Sequence, residues 1–285
     1  ERFFMPVALF CRIDYNKNHQ YGGRKGQNMI VFYFSGTGNS KYIAGLFGKS
    51  AGAPVHSIEE DADFDALIAS HDTLAFCYPV YASSVPKPMR EFVLRHADAL
   101  RGKRTIIFCT QLLFSGDGAH ALTAFLPDGA KNVFYAEHFS MPNNICNFPV
   151  LRVKNGAENW RKLRRARRKM ERVCADLENG VIRRRGFGKL PRALGKTQSR
   201  YWPGVEKQYA SSALADADCV RCGLCARICP AGNLTLGEHG IEQHDRCVFC
   251  YRCVNACPQR AITVMVHTKP KRQYKGPGEA EAEAD

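Results

Sequence analysis

The chain has 285 residues, 45% of them hydrophobic and 24% charged, with a formal net charge of +14; this excludes a disordered or fibrous chain and leaves room for about two globular domains. No apolar run reaches the roughly 18–20 residues of a membrane-crossing helix, so no membrane span is expected. With 13 cysteines and no export signal, a reducing, cytoplasmic setting is expected rather than a disulfide-stapled secreted scaffold.

Residues 1–28 differ in character from the rest of the chain. The apolar stretch from Met5 to Phe10 is too short for a signal sequence, and Tyr21-Gly22-Gly23-Arg24-Lys25-Gly26 is basic and flexible. The stretch reads as a disordered leader, or as the product of a misassigned start upstream of Met29. Met29-Ile30-Val31-Phe32-Tyr33-Phe34 is then a continuous apolar run, the pattern of a strand buried on both faces. It leads into Ser35-Gly36-Thr37-Gly38-Asn39-Ser40, after which Lys41-Tyr42-Ile43-Ala44 opens a helical stretch. A strand, a Gly- and hydroxyl-rich turn and a helix N-terminus together make an anion site. Backbone N–H groups converge there, and the helix dipole favours negative charge. A Walker A loop is excluded because Lys41 follows Ser40 rather than Gly, and the dinucleotide fingerprint is excluded because Lys41 stands where its third glycine belongs.

Further strands are expected at Pro54–Ile58 (a short edge strand), Asp72–Cys77, Arg104–Cys109 and Lys131–Phe139, with helical stretches near 40–50, 62–70, 86–99 and 117–125 between them. Alternating strands and helices predict an α/β, doubly wound parallel sheet whose ligand binds beyond the carboxyl ends of the strands. The segments leaving that edge are Tyr78 to Pro86, Thr110 to Gly118, and Ser140-Met141-Pro142-Asn143-Asn144.

Residues 151–210 hold about 18 Lys and Arg against about 5 Asp and Glu, nearly the whole charge excess. Within them, Trp160, Leu163, Ala166, Met170, Val173 and Leu177 recur at helical spacing, predicting a helix over 158–179 that covers the sheet and ends at Gly180. Arg161, Lys162, Arg164, Arg165, Arg167, Arg168 and Lys169 occupy its other faces and are expected to dock an acidic redox partner protein. Nucleic acid is the less favoured partner, since no helix-turn-helix, zinc-finger or aromatic RNA-binding signature accompanies them. Residues 181–212, basic with interspersed Gly and Pro, read as a linker.

Eight cysteines repeat one spacing. Cys219, Cys222, Cys225 and Cys229-Pro230 form the first copy, and Cys247, Cys250, Cys253 and Cys257-Pro258 the second. Each is C-x2-C-x2-C-x3-C-P, the ligation run of bacterial ferredoxins, in which the fourth cysteine of each copy completes the other cluster. Zinc sites have no use for a third cysteine three residues on or for a Cys-Pro. Carried over, the pattern gives two [4Fe-4S] clusters: one on Cys219, Cys222, Cys225 and Cys257, the other on Cys247, Cys250, Cys253 and Cys229. Short strands are expected at 234–236 and 261–265. A unit of residues 213–267 is too small for an adequate core and would be held folded by its clusters. Residues 268–285, ending Glu-Ala-Glu-Ala-Glu-Ala-Asp, read as a disordered tail.

Over residues 29–266 the chain resembles the flavodoxin–ferredoxin fusion proteins of anaerobes. In these a flavodoxin-like domain (here 29–180) precedes a small α+β two-[4Fe-4S] ferredoxin-like domain. The resemblance implies a bound FMN, its phosphate on Ser35, Gly36, Thr37, Gly38, Asn39 and Ser40. Its ring would then lie between Pro79, Val80, Tyr81 and Ser83 on one loop and Gln111, Phe114, Ser115, Gly116 and Asp117 on the next. Tyr78, Tyr81 and Phe114 are the candidate stacking side chains. The implied function is transfer of single electrons between clusters and FMN. The alternative is a flavin reductase that takes hydride from NAD(P)H or reduces a small organic acceptor.

Overall fold

The structure, a computed structural model, describes residues 28–154 and 156–278. The expected leader, apart from Asn28, lies outside the described residues. Strands β1 (Met29–Tyr33), β2 (Val55–Ser57), β3 (Thr73–Pro79), β4 (Arg104–Gln111) and β5 (Val133–Ser140) are joined by α1 (Asn39–Ala51), α2 (Phe64–Ala69), α3 (Lys87–Arg95), α4 (Ala97–Leu100) and a 3-10 turn at His120–Ala124. Helix α5 (Gly156–Glu178) and β6 (Arg183–Arg184) come next. The six strands form one parallel sheet in the order β2-β1-β3-β4-β5-β6. The order 2-1-3-4-5 is the flavodoxin-like one, with its switch point between β1 and β3.

Period-two alternation divides the sheet between two cores. Ile30, Phe32, Leu74, Phe76 and Ile107 face α2, α3 and α4, whereas Val31, Ala75, Cys77, Ile106 and Phe108 face α1 and α5. The predicted stripe of α5 lies in the second core: Leu163, Ala166, Met170 and Val173 are buried. Burying each of its larger side chains contributes about 1.5–3 kcal/mol.

The segment read as a linker is structured. Arg183 and Arg184 pair with Tyr135 and Ala136 at the sheet edge, and helices α6 (Lys189–Ser199) and α7 (Trp202–Gln208) succeed them. Helix α6 leans on the loop after β4 through small residues: a Cβ on Gly116 would fall 2.9 Å from Gly195 Cα. Helix α7 is held by the Arg90–Glu206 pair at 2.7 Å. None of its residues is buried, so periodicity gives no sign of it.

The second module pairs β7 (Leu214–Ala215) with β10 (Ile262–Thr263), and β8 (Leu234–Gly237) with β9 (Gly240–Gln243), around helices α8 (Leu224–Arg227) and α9 (Arg252–Ala256). Its halves repeat at a 28-residue offset even in backbone torsion. Positive φ recurs at Arg221 and Phe249, at Gly223 and Tyr251, and at Gly232 and Arg260. Residues 268–278 are not a free tail. Gln273 Nε2 donates to the carbonyls of Val254 (2.9 Å) and Cys257 (2.7 Å), and the Tyr274 N–H donates to Asn255 Oδ1 (2.7 Å). Tyr274 is 2% exposed. The expected tail beyond residue 278 lies outside the described residues.

Candidate functional site

A cavity of about 290 Å³ opens at the carboxyl ends of β1, β3 and β4, where the topology places a ligand. Ser35, Gly36, Thr37, Asn39 and Ser40 line one end of it. Gly38 does not; its φ of 96° turns the chain into α1 while its N–H donates to Ser35 Oγ at 3.1 Å. No side chain caps α1, and its first turn holds no acidic residue. The positive helix end is therefore left for an external anion. Thr37 Oγ1 accepts from Asn144 Nδ2 at 3.0 Å, so its own hydrogen can serve an oxyanion. Asn39 instead belongs to the scaffold: its Nδ2 donates to Pro142 O (3.0 Å) and its Oδ1 accepts from the Tyr274 hydroxyl (2.7 Å).

At the other end Pro79, Val80, Tyr81 and Gln111 line the cavity, and Met141, Pro142 and Asn144 border it. Gln111 Nε2 donates to Leu113 O at 3.3 Å, while its Oε1 is buried without a partner. A buried acceptor left over in this way calls for a ligand N–H, such as the imide edge of an isoalloxazine ring. Replacing Gln111 with Leu removes that acceptor. Flavin affinity is expected to fall by about tenfold, at the net worth of one hydrogen bond, as read by fluorescence titration; unchanged affinity would leave Gln111 without this role.

Other predicted ring contacts are elsewhere. Phe114 is 58% exposed. Ser83 and Gly116 are taken up by α6: the Gly116 N–H donates to Ser83 Oγ at 3.1 Å, and Ser83 Oγ bonds Gln198. Ser115 Oγ accepts from the Gly118 N–H at 2.9 Å, and Asp117 abuts Gly195. Tyr78 is fully buried, its hydroxyl donating to Gly118 O at 2.8 Å. The helix read as linker occupies the place that these residues were expected to offer to the ring.

In their stead the cavity is walled by Trp202, Phe249 and Tyr251. Trp202 packs against Tyr81 (centroids 5.8 Å apart) and Phe249 (5.7 Å), and its Nε1 donates to Glu206 at 2.8 Å. Burial raises the Tyr81 hydroxyl well above its ordinary pKa, so it stays a neutral phenol. Tyr251 sits at φ 59°, a left-handed conformation costing roughly 1–3 kcal/mol outside glycine. That cost is borne where the side chain meets the cavity.

The cysteines gather in the crossed sets. Cys219, Cys222, Cys225 and Cys257 line one small cavity; Cys229, Cys247, Cys250 and Cys253 line another. Each quartet thus surrounds a small volume. Burial first, with the neighbouring thiols adding to it, pushes the Cys247 thiol up to about 11 and the Cys250 thiol up to about 12. Four thiolates together are favourable there only around a cationic core. The repeat extends to the sulfur hydrogen bonds: Asn233 N–H donates to Cys229 Sγ (3.2 Å) and Ala261 N–H to Cys257 Sγ (3.3 Å).

Comparison with known proteins agrees with this division. Residues 30–179 match the model of a flavodoxin domain family. The chain belongs to the flavodoxin domain family. Residues 218–261 match a 4Fe-4S dicluster domain. The chain is 38% identical over 45 residues (16% of this chain, 11% of the relative) to polyferredoxin protein MvhB of Methanothermus fervidus. It is 37% identical over 57 residues (16% and 44%) to NADH-quinone oxidoreductase subunit I 2 of Geobacter metallireducens. The chain thus spans less than half the length of these curated relatives. Among solved structures, two-electron reduced Megasphaera elsdenii flavodoxin is 25% identical, covering 50% of this chain and 98% of that one at a TM-score of 0.33.

The chain joins a flavodoxin domain to a 4Fe-4S dicluster domain, and the first is closed by the second. The Cys250 main chain lies against Gly36 of the phosphate loop. Val248 and Cys250 belong to the same buried core as β1 and β3. Arg252 bridges the two: its Nε donates to Gly36 O (3.2 Å) and Nη2 to Ser35 O (2.9 Å), while Glu59 holds the guanidinium through both carboxylate oxygens (3.0 and 2.7 Å). On the far side, Asn255 Nδ2 donates to Asn144 O at 2.8 Å. Among the described residues no helix is long and apolar enough to cross a membrane.

Proposed function

We propose that the protein relays single electrons between two [4Fe-4S] clusters and one FMN carried in the same chain. Cys219, Cys222, Cys225 and Cys257 would hold one cluster; Cys229, Cys247, Cys250 and Cys253 would hold the other. The observation that carries this reading is the shared wall: Phe249 and Tyr251, which alternate with the ligands Cys247, Cys250 and Cys253, line the flavin cavity. Clusters supply one-electron steps and flavin one- or two-electron steps, so their pairing converts between the two.

The chain's own residues set the order of the relay. Cys250 is buried against the flavodoxin domain, whereas Cys222 is exposed. The Cys250 quartet is thus proximal to the flavin and the Cys222 quartet faces the solvent. A reductase fed by NAD(P)H would need an open ring face. Trp202, Phe249 and Tyr251 crowd that side of the cavity, which favours electron entry through the cysteines. Anaerobic purification should yield about eight irons and one FMN per chain, from two four-iron clusters and one phosphate loop. Mixing with NAD(P)H alone should leave the flavin oxidised, and a reduced ferredoxin should bleach it. A colourless preparation, or bleaching by NAD(P)H unaided, would sink the reading.

A further inference from the structure

Resting on that relay, we infer that Arg252 gives it a direction. Its guanidinium raises the reduction potential of the cluster on Cys229, Cys247, Cys250 and Cys253 above that of the other cluster, so that electrons run toward the flavin. One electron passes from the Cys222 quartet to the Cys250 quartet and adds one negative charge beside a fixed positive one. No bond is made or broken and no proton moves, since a guanidinium stays protonated throughout.

The two quartet cavities are alike in their ligands and unlike in charge. Arg252 lines the cavity of the Cys250 quartet, whereas among the described residues no Lys, Arg, Asp or Glu lines that of the Cys222 quartet. The internal repeat locates the difference at one position. At its 28-residue offset Arg252 corresponds to Leu224, which lines the other cavity. Net charge around a cluster is one of the terms that set its potential, and a nearby cation favours the reduced, more negative form.

The guanidinium is fixed at the cavity by three carbonyls, which leave its charge intact. Nη1 donates to Ile228 O at 3.1 Å, next in the chain to the ligand Cys229; Nη2 and Nε donate to Ser35 O and Gly36 O. Glu59 opposes the charge through both carboxylate oxygens, yet Glu59 does not line the cavity. The pair is therefore a dipole with its positive end toward the cysteines. The two side chains are 25% and 26% exposed, so water screens them only in part. Other charges next to the ligands in the chain stand in open solvent: Asp218 and Arg221 by the Cys222 quartet and Arg246 by the Cys250 quartet are exposed, as are Arg227, which donates to Cys222 O, and Arg260 after Cys257. Solvent and salt weaken their fields.

The test is a redox titration of both clusters, read by electron paramagnetic resonance, on wild type, Arg252→Gln, Arg252→Lys, Glu59→Gln and Arg246→Gln. In wild type the two midpoints should stand apart. Arg252→Gln should lower the higher midpoint, cutting the reduced-to-oxidised ratio at fixed potential about tenfold, or about 59 mV for one electron, and leave the lower midpoint in place. Arg252→Lys loosens the fork but keeps the charge and should keep most of the gap. Glu59→Gln should widen it. Arg246→Gln removes an exposed charge beside the same quartet and should move neither midpoint. Coincident wild-type midpoints, a shift of both clusters in Arg252→Gln, equal falls for Gln and Lys, a narrower gap in Glu59→Gln, or a shift in Arg246→Gln as large as in Arg252→Gln would each overturn the inference. Midpoints that behave as stated in a protein whose clusters never reduce the flavin would uphold the tuning and overturn the relay, a separable failure.

Discussion

Stripping the iron with ferricyanide and EDTA is expected to release the flavin too, weakening its binding on the order of 10- to 100-fold, the usual span of coupling between two sites. The cluster unit is too small to keep its shape through apolar burial alone. Its ligand loops run through left-handed residues at Arg221, Phe249, Tyr251 and Arg260, conformations that persist only where the surroundings enforce them. Without iron, those loops relax. With them go Phe249 and Tyr251 from the cavity wall, the Arg252 fork from Ser35 O and Gly36 O, and the bond from Asn255 to Asn144 O. Asn144 in turn holds Thr37, so the loss reaches the phosphate end of the site.

Coupling of this kind is reciprocal. Protein depleted of flavin should lose its clusters faster under the same treatment, by a comparable factor if both processes report equilibrium affinity. Flavin fluorescence reads the first half; the decay of cluster absorbance reads the second. If the iron-free protein keeps its flavin with unchanged affinity, the flavodoxin domain binds it unaided and the shared wall does not contribute to holding it.

The parts legible in the sequence are those whose signal is local. A buried strand announces itself by a continuous apolar run, and the Met29–Phe34 run, the glycine turn and α5 follow from such signals. The crossed cysteine sets follow from the resemblance of each copy to the bacterial ferredoxin run, in which the fourth cysteine serves the other cluster. The parts that escape a sequence reading depend on contacts between distant segments. Helix α6 touches the domain through Gly116 and Gly195, where closeness comes from missing side chains rather than from an apolar stripe. It therefore reads as linker, and the residues beneath it, from Ser115 to Asp117, read as free to meet a ring. Residues 268–278 read as one piece with the acidic repeat after them, although they are anchored by hydrogen bonds from the Gln273 side chain to Cys257 O and from the Tyr274 N–H to the Asn255 side chain. Phe249 and Tyr251 do leave a trace. Their counterparts in the first copy, Arg221 and Gly223, are a cation and a glycine, and aromatic side chains gained at positions of enforced left-handed backbone point to a use outside the cluster.

Gly36→Ala should break the junction by contact rather than by backbone strain at the substituted residue. Gly36 has no positive φ, so alanine suits its backbone and the whole effect comes from contact. The new Cβ would fall 2.9 Å from the carbonyl carbon of Cys250, 3.1 Å from its Cβ and closer still to its oxygen. The obstacle is mainly backbone, which cannot swing aside as a long side chain would. Either the cluster loop retreats or the phosphate loop does, at a cost of about 1–3 kcal/mol for overpacking. Retreat also lengthens the Arg252 bonds to Ser35 O and Gly36 O, so the two domains part along the whole seam. With clusters and flavin both retained, reduction of flavin by pre-reduced clusters should slow, because the seam that brings the Cys250 quartet up to the cavity has opened. Gly38→Ala separates the effects. At φ 96° and with Pro277 Cδ 3.1 Å from its added Cβ, it strains the phosphate loop itself and should lower flavin content while leaving the Cys250 contact in place. Stopped-flow absorbance at the flavin band reads the transfer, and cofactor analysis of the same samples reads retention. Wild-type transfer in a well-folded Gly36→Ala protein would mean that electrons cross between the domains by some route other than the Cys250–Gly36 contact.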